Sequence, residues 1–464
     1  IPKRCDTKQR RLTMKVKKAL VMTFLLTFML SFTICNNTLA QEMPSDLIGN
    51  IIQYDPSVPL NNGEDITVEL WYWTGAANLF ESLATKYMAI HPNVTIRLVE
   101  NPWDDYWTKL PLALQGSDGP AIFNIHNSHH ENLIGYLAPY DIPVGDLEAE
   151  FTGVSGHLID GKIYYTDYGL MTGTVYYNTD MWAAAGLTKA DIPTTWDEFR
   201  EVAKRLTIRK DGKLIQAGYS YNGGIQGDVL GMNYQYGQNL FTWDNKISLN
   251  NDAMNMVIQR LKDMYEKDGV CDYNFGNNAG DNFGQGLVAM YLGWGFMTNV
   301  FGQNFPNTPF ECFEIPTPTN DIPYAFHRYN GESTFGVNKN APADQQSIAQ
   351  DIILFFLAND AIQKEFCLVN AVFPMKVTLQ DDDELLSIPS VAILKDHIDR
   401  YIWPGPMPST VEDNIKIALE NIFYNNEDIT KALTMAEKAI NEDLEYSDFT
   451  SQEPMYKYAS EAKK

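Results

Sequence analysis

The sequence is poor in cysteine and lacks the short fingerprints of several large enzyme classes. Its 464 residues include five cysteines, too few and too widely spaced for a disulfide framework. It contains no P-loop, no dinucleotide-binding glycine fingerprint and no Gly-x-Ser-x-Gly nucleophile motif. No internal repeat or low-complexity stretch stands out. These absences exclude a small disulfide-stapled fold and offer no support for enzymes that depend on those motifs.

Basic residues are also scarce. There are 35 Lys and Arg residues against 59 Asp and Glu residues. The first forty positions hold 8 of these basic residues but only 1 of the acidic residues. The rest of the chain therefore has a formal net charge of −31. Nucleic acids and anionic membranes attract proteins through clustered Lys and Arg. The composition therefore argues against nucleic acid and against an anionic membrane surface as partners.

The first forty residues have the pattern of an export signal. Three lysines and an apolar block at 19–32 follow Met14, and small residues stand at the two recognition positions of Thr38-Leu39-Ala40. The block is shorter than the roughly 20 apolar residues that span a bilayer. Cleavage after Ala40 is favoured over lipidation at Cys35, because bulky Ile34 precedes that cysteine.

This pattern divides the start of the chain into three parts. Residues 1–13 are expected to be an upstream extension, 14–40 a signal peptide and 41–64 an exposed leader segment without periodicity. The protein is then exported to the periplasmic or extracellular side of the membrane. Cys271, Cys312 and Cys367 remain after cleavage, and whether any two of them form a bridge is left open.

Strands and helices alternate after the leader. Residues 66–71, 94–99 and 121–125 read as strands, and helical stripes of apolar residues lie between them. This order predicts βαβ units and a mostly parallel sheet. Ligands of such sheets bind at the carboxyl ends of the strands, where Trp73 and Asn127 stand in this sequence.

Several segments together resemble one family. In chain order they are Tyr87–Val94, Lys109–Ala121, Tyr176–Leu187, the Pro-x-Thr-Trp-x-Glu-Phe motif at Pro193–Phe199, and Gly284–Trp294. Their order and spacing are similar to those of the family 1 extracellular solute-binding proteins, the maltose-binding-protein-like components of sugar importers. One departure is Ala121, which stands where the family usually has Asp in Gly-x-x-Pro-Asp.

The resemblance implies an α/β, two-lobed periplasmic-binding-protein-like fold with three hinge crossings. The crossings would lie near 169–172, near 329–332, and between 373 and 403. Lobe 1 would comprise 65–170 with 331–373, and lobe 2 would comprise 171–330 with 374–464. The resemblance further implies a monomer that binds a carbohydrate in the cleft and delivers it to the permease subunits of an ABC importer, without enzymatic activity, cofactor or metal.

Carbohydrates present apolar faces and a rim of hydroxyl groups. Aromatic rings stack on the apolar faces, and polar side chains form hydrogen bonds with the hydroxyl groups. Trp294 is the sharpest candidate, since it lies between two glycines at the end of the apolar run 287–292, whereas Trp71 and Trp196 read as core residues. The expected ligand-binding residues are Trp73, Asn127, Tyr168, Asn222, Asp228, Trp243, Trp294, Glu332 and Trp403.

Several alternatives are weighed against this interpretation. A glycosidase needs two carboxylates, which this acidic chain could supply, and a binding protein could serve a sensor kinase instead of a permease. His126, His129 and His130 form a cluster, but no helical His-x-x-x-His or Cys partner supports zinc. An anionic ligand would need a cation in the cleft; Arg328 is the candidate, and a surface ion pair is its plain alternative.

The export signal gives the first testable prediction. Mature protein secreted by a bacterial host should begin at Gln41 and be released in soluble form, because Ala40 provides the favoured cleavage site. N-terminal sequencing and intact mass measure this. A diacylglyceryl-modified Cys35 as the first residue would contradict it.

Overall fold

The computed structural model describes residues 47–75, 77–447 and 449–463. The expected upstream extension, the signal peptide and leader residues 41–46 lie outside the described residues, as do Cys5 and Cys35. Contacts divide the chain into two units. The described part of the first is Leu47 with Asp55–Pro59, and the second contains Ile48–Tyr54 and the chain from Leu60 onward. Among the helices that the structure describes, none combines the length and apolar character that a bilayer crossing requires.

The described strands are β1 (Ile48–Gly49), β2 (Gln53–Tyr54), β3 (Ile66–Trp73), β4 (Val94–Asn101), β5 (Ile122–Asn124), β6 (Leu137–Ala138), β7 (Leu158–Ile159), β8 (Lys162–Ile163), β9 (Asp167–Asn178), β10 (Ile208–Lys210), β11 (Lys213–Ser220), β12 (Val288–Trp294), β13 (Phe310–Phe313), β14 (His327–Ser333), β15 (Phe335–Asn338), β16 (Phe373–Pro374) and β17 (Tyr401–Ile402).

The described α-helices are α1 (Ala77–Ile90), α2 (Trp103–Ala113), α3 (His130–Leu133), α4 (Val144–Glu150), α5 (Thr179–Ala184), α6 (Trp196–Leu206), α7 (Ile225–Asn233), α8 (Asp252–Glu266), α9 (Ala279–Gly284), α10 (Met297–Asn304), α11 (Ala343–Ala358), α12 (Asp360–Asn370), α13 (Pro389–Ala392), α14 (Ser409–Tyr424) and α15 (Ile429–Leu444).

The first large sheet has the strand order β4-β3-β5-β15-β6. β3 runs parallel to both β4 and β5, and α1 and α2 connect these strands. Every second residue of β3 is buried, as the alternation in the sequence predicts. The expected βαβ arrangement is therefore present. It places Trp73 and the segment after Asn124 at the same edge of the sheet.

The second large sheet is built around β9. Its main strand order is β10-β11-β12-β9-β14-β17, and β13 and β16 also pair with β9. All twelve residues of β9 are buried. Its carboxyl half pairs with β12, while its amino half pairs with β14. One strand thus holds together elements that are far apart in the sequence.

One of the three predicted crossings coincides with a passage between the two sheets, whereas the first lies within the second sheet and the third begins and ends in it. The first predicted segment lies in β9 and the second in β14, whose neighbour β15 belongs to the first sheet. A single residue, Thr334, separates β14 from β15, and its amide donates to the Thr166 carbonyl at 2.7 Å. The third segment extends from β16 to β17. The α/β two-lobed fold class is confirmed, while the lobe boundaries stay a prediction.

Helix α6 shows why a local motif can be predicted well. The Thr195 hydroxyl accepts from the Glu198 amide at 3.3 Å, and the Glu198 carboxylate accepts from the Thr195 amide at 3.0 Å. This capping box satisfies backbone donors at the helix start. The Trp196 ring is buried, and its indole donates to Gln235 at 2.8 Å, which confirms its core position.

The three cysteines in the described chain are free thiols. Cys271 and Cys367 are buried, and Cys312 is half-buried. Burial raises the pKa of all three thiols, which favours the unreactive protonated form. Nothing in their surroundings links them to one another or to a ligand.

A buried lysine links the connection after β16 to α4 and α12. The Lys376 side chain has no exposed surface, and its ammonium lies 2.7 Å from Asp360 and 3.6 Å from Glu150. Glu150 in turn accepts from the backbone amides of Ile51 and Ile52, the latter at 2.9 Å. The residues between β1 and β2 are therefore held against the first sheet's lobe through a buried charge network.

Removing this lysine gives the second prediction. Lys376→Met should lower the free energy of unfolding by about 3–5 kcal/mol, because it leaves the buried carboxylate of Glu150 without its cation. The control is Lys395→Met, whose partner Asp381 lies at 2.8 Å but has an 86 % exposed side chain. The control should cost less than about 1 kcal/mol. Urea unfolding measures both, and equal losses would contradict the structural role of Lys376.

Candidate functional site

One face of β14 forms the floor of a cleft. The residues of this strand alternate between buried and half-buried, and the half-buried ones are Arg328, Asn330 and Glu332. Side chains two apart on a strand point to the same face. A cleft of about 280 Å³ opens over part of this row. Its lining residues are His126, Asn127, Met171, Trp294, Phe296, Arg328, Tyr329, Asn330, Trp403, Pro404, Gly405, Pro406, Met407 and Glu412.

Trp294 supplies an aromatic wall of the cleft. It is the last residue of β12 and is half-buried. The Arg328 guanidinium carbon lies 5.6 Å from its ring centroid, a cation–π geometry. A Cβ at Gly227 would lie 3.6 Å from the indole nitrogen, so α7 packs closely against the ring there. The indole is thus fixed on one side, and part of it faces the cleft.

An amide pair joins the two sheets at the cleft. The Asn127 side-chain amide donates to Asn330 Oδ1 at 2.8 Å. This bond uses the oxygen of Asn330, so its amide nitrogen keeps both donors for other partners. Asn127 follows β5 in the first sheet, and Asn330 lies in β14. The cleft is therefore lined by polar groups from both sheets.

Further aromatic side chains lie next to the cleft in the first sheet. Trp73 contacts Trp103 and Trp107 at centroid distances of 5.2 and 5.5 Å, and it contacts the cleft residue His126 at 6.2 Å. Trp103 is 40 % exposed. We call Trp73, Trp103, Trp107 and His126 the aromatic cluster. It extends the apolar surface beyond the cleft itself.

The histidines after β5 have separate partners. His129 stacks on Trp107 with centroids 3.8 Å apart, and His130 Nδ1 lies 2.8 Å from the Tyr165 hydroxyl. Burial lowers the pKa of His126 to about 4, so its imidazole is neutral near pH 7. Within the described chain, no group of three or more His, Cys, Asp or Glu side chains has the geometry of a metal site.

Burial changes the acidity of two carboxyl groups near the cleft. It raises the pKa of Glu332 to about 7, and the charge of Asp167 adds to this effect. Burial also raises the pKa of Asp228 well above its usual range, although the positive charge of Arg328 acts in the opposite direction. Both groups are thus shifted toward the neutral form, in which a carboxylic acid can donate a hydrogen bond.

The structure brings three of the nine expected ligand residues into the lining of the cleft. These are Asn127, Trp294 and Trp403. Trp403 is only 7 % exposed, because the His157 ring stacks on it at 4.0 Å. Three more lie next to lining residues. Trp73 contacts His126 in the aromatic cluster, and Asp228 is close enough to Arg328 for its pKa to respond to that charge. Glu332 follows Asn330 on the same face of β14.

Tyr168, Asn222 and Trp243 are not brought to the cleft. The Tyr168 hydroxyl is buried and accepts from Asn370 at 2.9 Å. Asn222 is buried, and its carbonyl oxygen accepts from the Tyr265 hydroxyl at 3.1 Å. Trp243 is 63 % exposed in the turn after Phe241. Their ligand-binding role stays a prediction without support from their positions.

Several lining residues were not among the expected ones. They are His126, Met171, Phe296, Tyr329, Asn330, Pro404, Gly405, Pro406, Met407 and Glu412. For Asn330 a signal was present, since it lies midway between Arg328 and Glu332 at strand spacing. For Met171 and Met407 no local pattern distinguishes a cleft position from a core position.

Comparison with known families identifies the class of protein. The family described as bacterial extracellular solute-binding protein matches residues 73–363, which is more than half of the chain. The chain therefore belongs to this family of binding proteins, and the resemblance that the motifs carry is confirmed.

Relatives match the chain in sequence over part of their length, and a solved structure shares its fold. Binding proteins of Brucella abortus and Brucella suis are 24% identical over 259 residues, covering 51% of this chain and 59% of theirs. The diacetylchitobiose binding protein of Streptomyces coelicolor is 24% identical over 335 residues, covering 69% of this chain and 75% of its own. A cyclic alpha-maltosyl-1,6-maltose binding protein from Arthrobacter globiformis has a TM-score of 0.68 at 19% identity, covering 82% of this chain and 100% of that one.

The acidity of Glu332 gives the third prediction. Its pKa is raised from 4.5 to about 7 on folding. The folded state then holds this proton more tightly than the unfolded state, so the group's contribution to stability falls as pH rises from about 4.5 through about 7. In urea unfolding between pH 5 and pH 8, Glu332→Gln should flatten this decline.

Exposed Glu445 provides the control, and Glu445→Gln should leave the pH profile unchanged. Parallel profiles for the wild type and Glu332→Gln would contradict the raised pKa of Glu332.

Proposed function

We propose that this protein binds a carbohydrate, specifically an oligosaccharide, in the cleft and delivers it to the permease of an ABC importer. The single observation that carries this proposal is the Trp294 ring beside the linked amides of Asn127 and Asn330. An aromatic plane next to directional polar groups matches the apolar face and hydroxyl rim of a sugar.

The aromatic cluster supports a ligand longer than one sugar. It adjoins the cleft at His126 and reaches the 40 % exposed ring of Trp103. A cleft of about 280 Å³ holds little more than one sugar ring, since ligand sites for drug-sized molecules have volumes of roughly 300–1,000 Å³. Additional sugar units would lie over the aromatic cluster.

The family and the lining residues support binding without chemical conversion. The chain belongs to a family of solute-binding proteins. Glu412 is the only carboxylate among the described lining residues, and it pairs with Arg328 at 3.4 Å. A glycosidase would need two carboxylates on opposite sides of the scissile bond. The protein in this proposal acts as a monomer without cofactor after export across the membrane.

A ligand screen tests this function. Purified protein is heated with a panel of mono- and oligosaccharides, and unfolding is followed by fluorescence. A true ligand at about 100 times its dissociation constant stabilises the folded state by roughly 2.7 kcal/mol. Chromatography of the same mixtures should show no hydrolysis products. A panel without any stabilising saccharide contradicts the proposal, and released sugars contradict its non-enzymatic part.

Trp294 gives the fourth prediction. Trp294→Ala should weaken saccharide binding by about 1–3 kcal/mol, with the stacking of planar nucleic-acid bases on aromatic side chains as the upper guide. Trp294→Phe should retain part of the affinity. The free energy of unfolding should fall by less than the 3–5 kcal/mol expected for a core tryptophan, because the ring is only half-buried. Calorimetric titration and urea unfolding measure the two quantities.

The control variant is Tyr446→Ala, which removes a 92 % exposed aromatic ring that does not line the cleft. Its saccharide affinity should equal that of the wild type. If Trp294→Ala unfolds early yet binds with unchanged affinity in the cold, Trp294 is a packing residue and not a ligand residue.

A further inference from the structure

We infer that the saccharide bound in this cleft is anionic and that Arg328 receives its carboxylate. This inference rests on the proposed carbohydrate function and specifies the class of substrate. It comes from the position of one guanidinium group, from the incomplete pairing of that group, and from the donors that surround it.

Arg328 belongs to the floor of the cleft. It is the only Lys or Arg among the described lining residues, in a chain in which basic residues are scarce. Its side chain is 12% exposed, and the ion pair that the sequence suggested as the plain alternative is present with Glu412, at the cleft. The strand β14 fixes its backbone, and the Trp294 ring lies 5.6 Å from its guanidinium carbon. Both contacts limit the directions in which the guanidinium can point.

The charge of Arg328 is only partly compensated. Among the residues that the structure describes, its one ion pair is with Glu412 at 3.4 Å, and the Glu412 side chain is 45% exposed. The Arg328 Nε atom is buried and has no hydrogen-bond partner in the described chain. A buried donor without a partner is unfavourable, and more so when the group is charged. A bound carboxylate would satisfy this donor, because guanidinium groups match carboxylates with two parallel hydrogen bonds.

The neighbouring groups favour an acceptor over a donor. Asn127 occupies one of the two acceptor positions on the Asn330 oxygen, whereas the Asn330 amide nitrogen can offer its N–H groups to a ligand. Asp228 and Glu332, the nearby carboxyls outside the lining, are shifted toward their neutral forms by burial. The remaining anionic group at the cleft is Glu412, which pairs with the same guanidinium that the ligand would use.

A sugar acid fits this arrangement better than a small organic anion. Its ring keeps an apolar face for Trp294, while its planar carboxylate can approach the Arg328 fork. A sugar phosphate shares the negative charge but is tetrahedral and bulkier. The ligand class is therefore a uronate-containing oligosaccharide, and sugar phosphates and neutral sugars are the competing outcomes.

The experiment compares matched ligands. Full-length mature protein is titrated calorimetrically with disaccharides that contain glucuronate or galacturonate, each paired with its neutral parent of the same linkage, and with the corresponding sugar phosphates. At least one acidic member should bind about 10- to 100-fold more tightly than its neutral parent, since a charge-assisted hydrogen-bond pair is gained.

Two variants test the role of Arg328 itself. Arg328→Gln should abolish the preference for the acid, measured as the ratio of the affinities for the acid and its neutral parent. Glu412→Gln, which removes the competing carboxylate, should raise the same ratio. The second variant keeps the test decisive if Arg328→Gln does not fold. The matched control is Arg400→Gln, an arginine that pairs with Glu461 at 2.8 Å and does not line the cleft; it should keep the full preference.

The outcomes are distinguishable. If neutral parents bind as tightly as the acids, the anionic-saccharide inference is wrong. If sugar phosphates bind as tightly as the acids, the assignment of a carboxylate is wrong. In both cases the carbohydrate function stands. If no saccharide of any charge binds, the proposed function itself fails. Loss of the acid preference in Arg400→Gln, or no gain in Glu412→Gln, would also overturn the role given to Arg328.

Discussion

Backbone hydrogen bonding along β9 is the constraint on which the rest of the structure depends. This strand is buried over its whole length, and buried amide and carbonyl groups need partners. Its two halves find them in different strands, so Trp294 of β12 lies opposite Gly173 while Asn330 of β14 lies opposite Met171. Positions 171 and 173 share a face of the strand. The ladder register of one strand thus sets the distance between an aromatic wall and a polar floor.

The electrostatic character of the cleft differs from that of the protein around it. The chain as a whole is strongly acidic, yet the described lining of the cleft contains one guanidinium and one carboxylate. Burial shifts the adjacent carboxyls toward neutrality, which limits the negative field that would otherwise oppose an anion. In such a site, the selectivity between an anionic and a neutral ligand arises from whether the ligand pairs with the buried guanidinium. It does not arise from the net charge of the molecule.

Local signals were readable from the sequence, and non-local ones were not. The capping box of α6 and the βαβ order depend on residues close together in the chain, and both are present as expected. The positions of Tyr168 and Asn222 away from the cleft could not be read from the sequence, because their partners, Asn370 and Tyr265, are distant in sequence. Trp294 was found through its flanking glycines at a strand end. Asn330 is identifiable from the two-residue period of β14, which places it on the same face as Arg328 and Glu332.

The one-residue connection at Thr334 limits how the two sheets can move. Its amide and hydroxyl both donate to the Thr166 carbonyl, and the hydroxyl also meets that of Tyr140 at 2.7 Å. A one-residue link cannot lengthen, and each residue offers only two soft backbone dihedral angles. Any movement of β14 relative to β15 across this link must therefore be a rotation about the backbone dihedral angles at Thr334. Asn330 and Glu332 lie just before this link in β14, so the floor of the cleft is joined to the first sheet by the shortest possible connection.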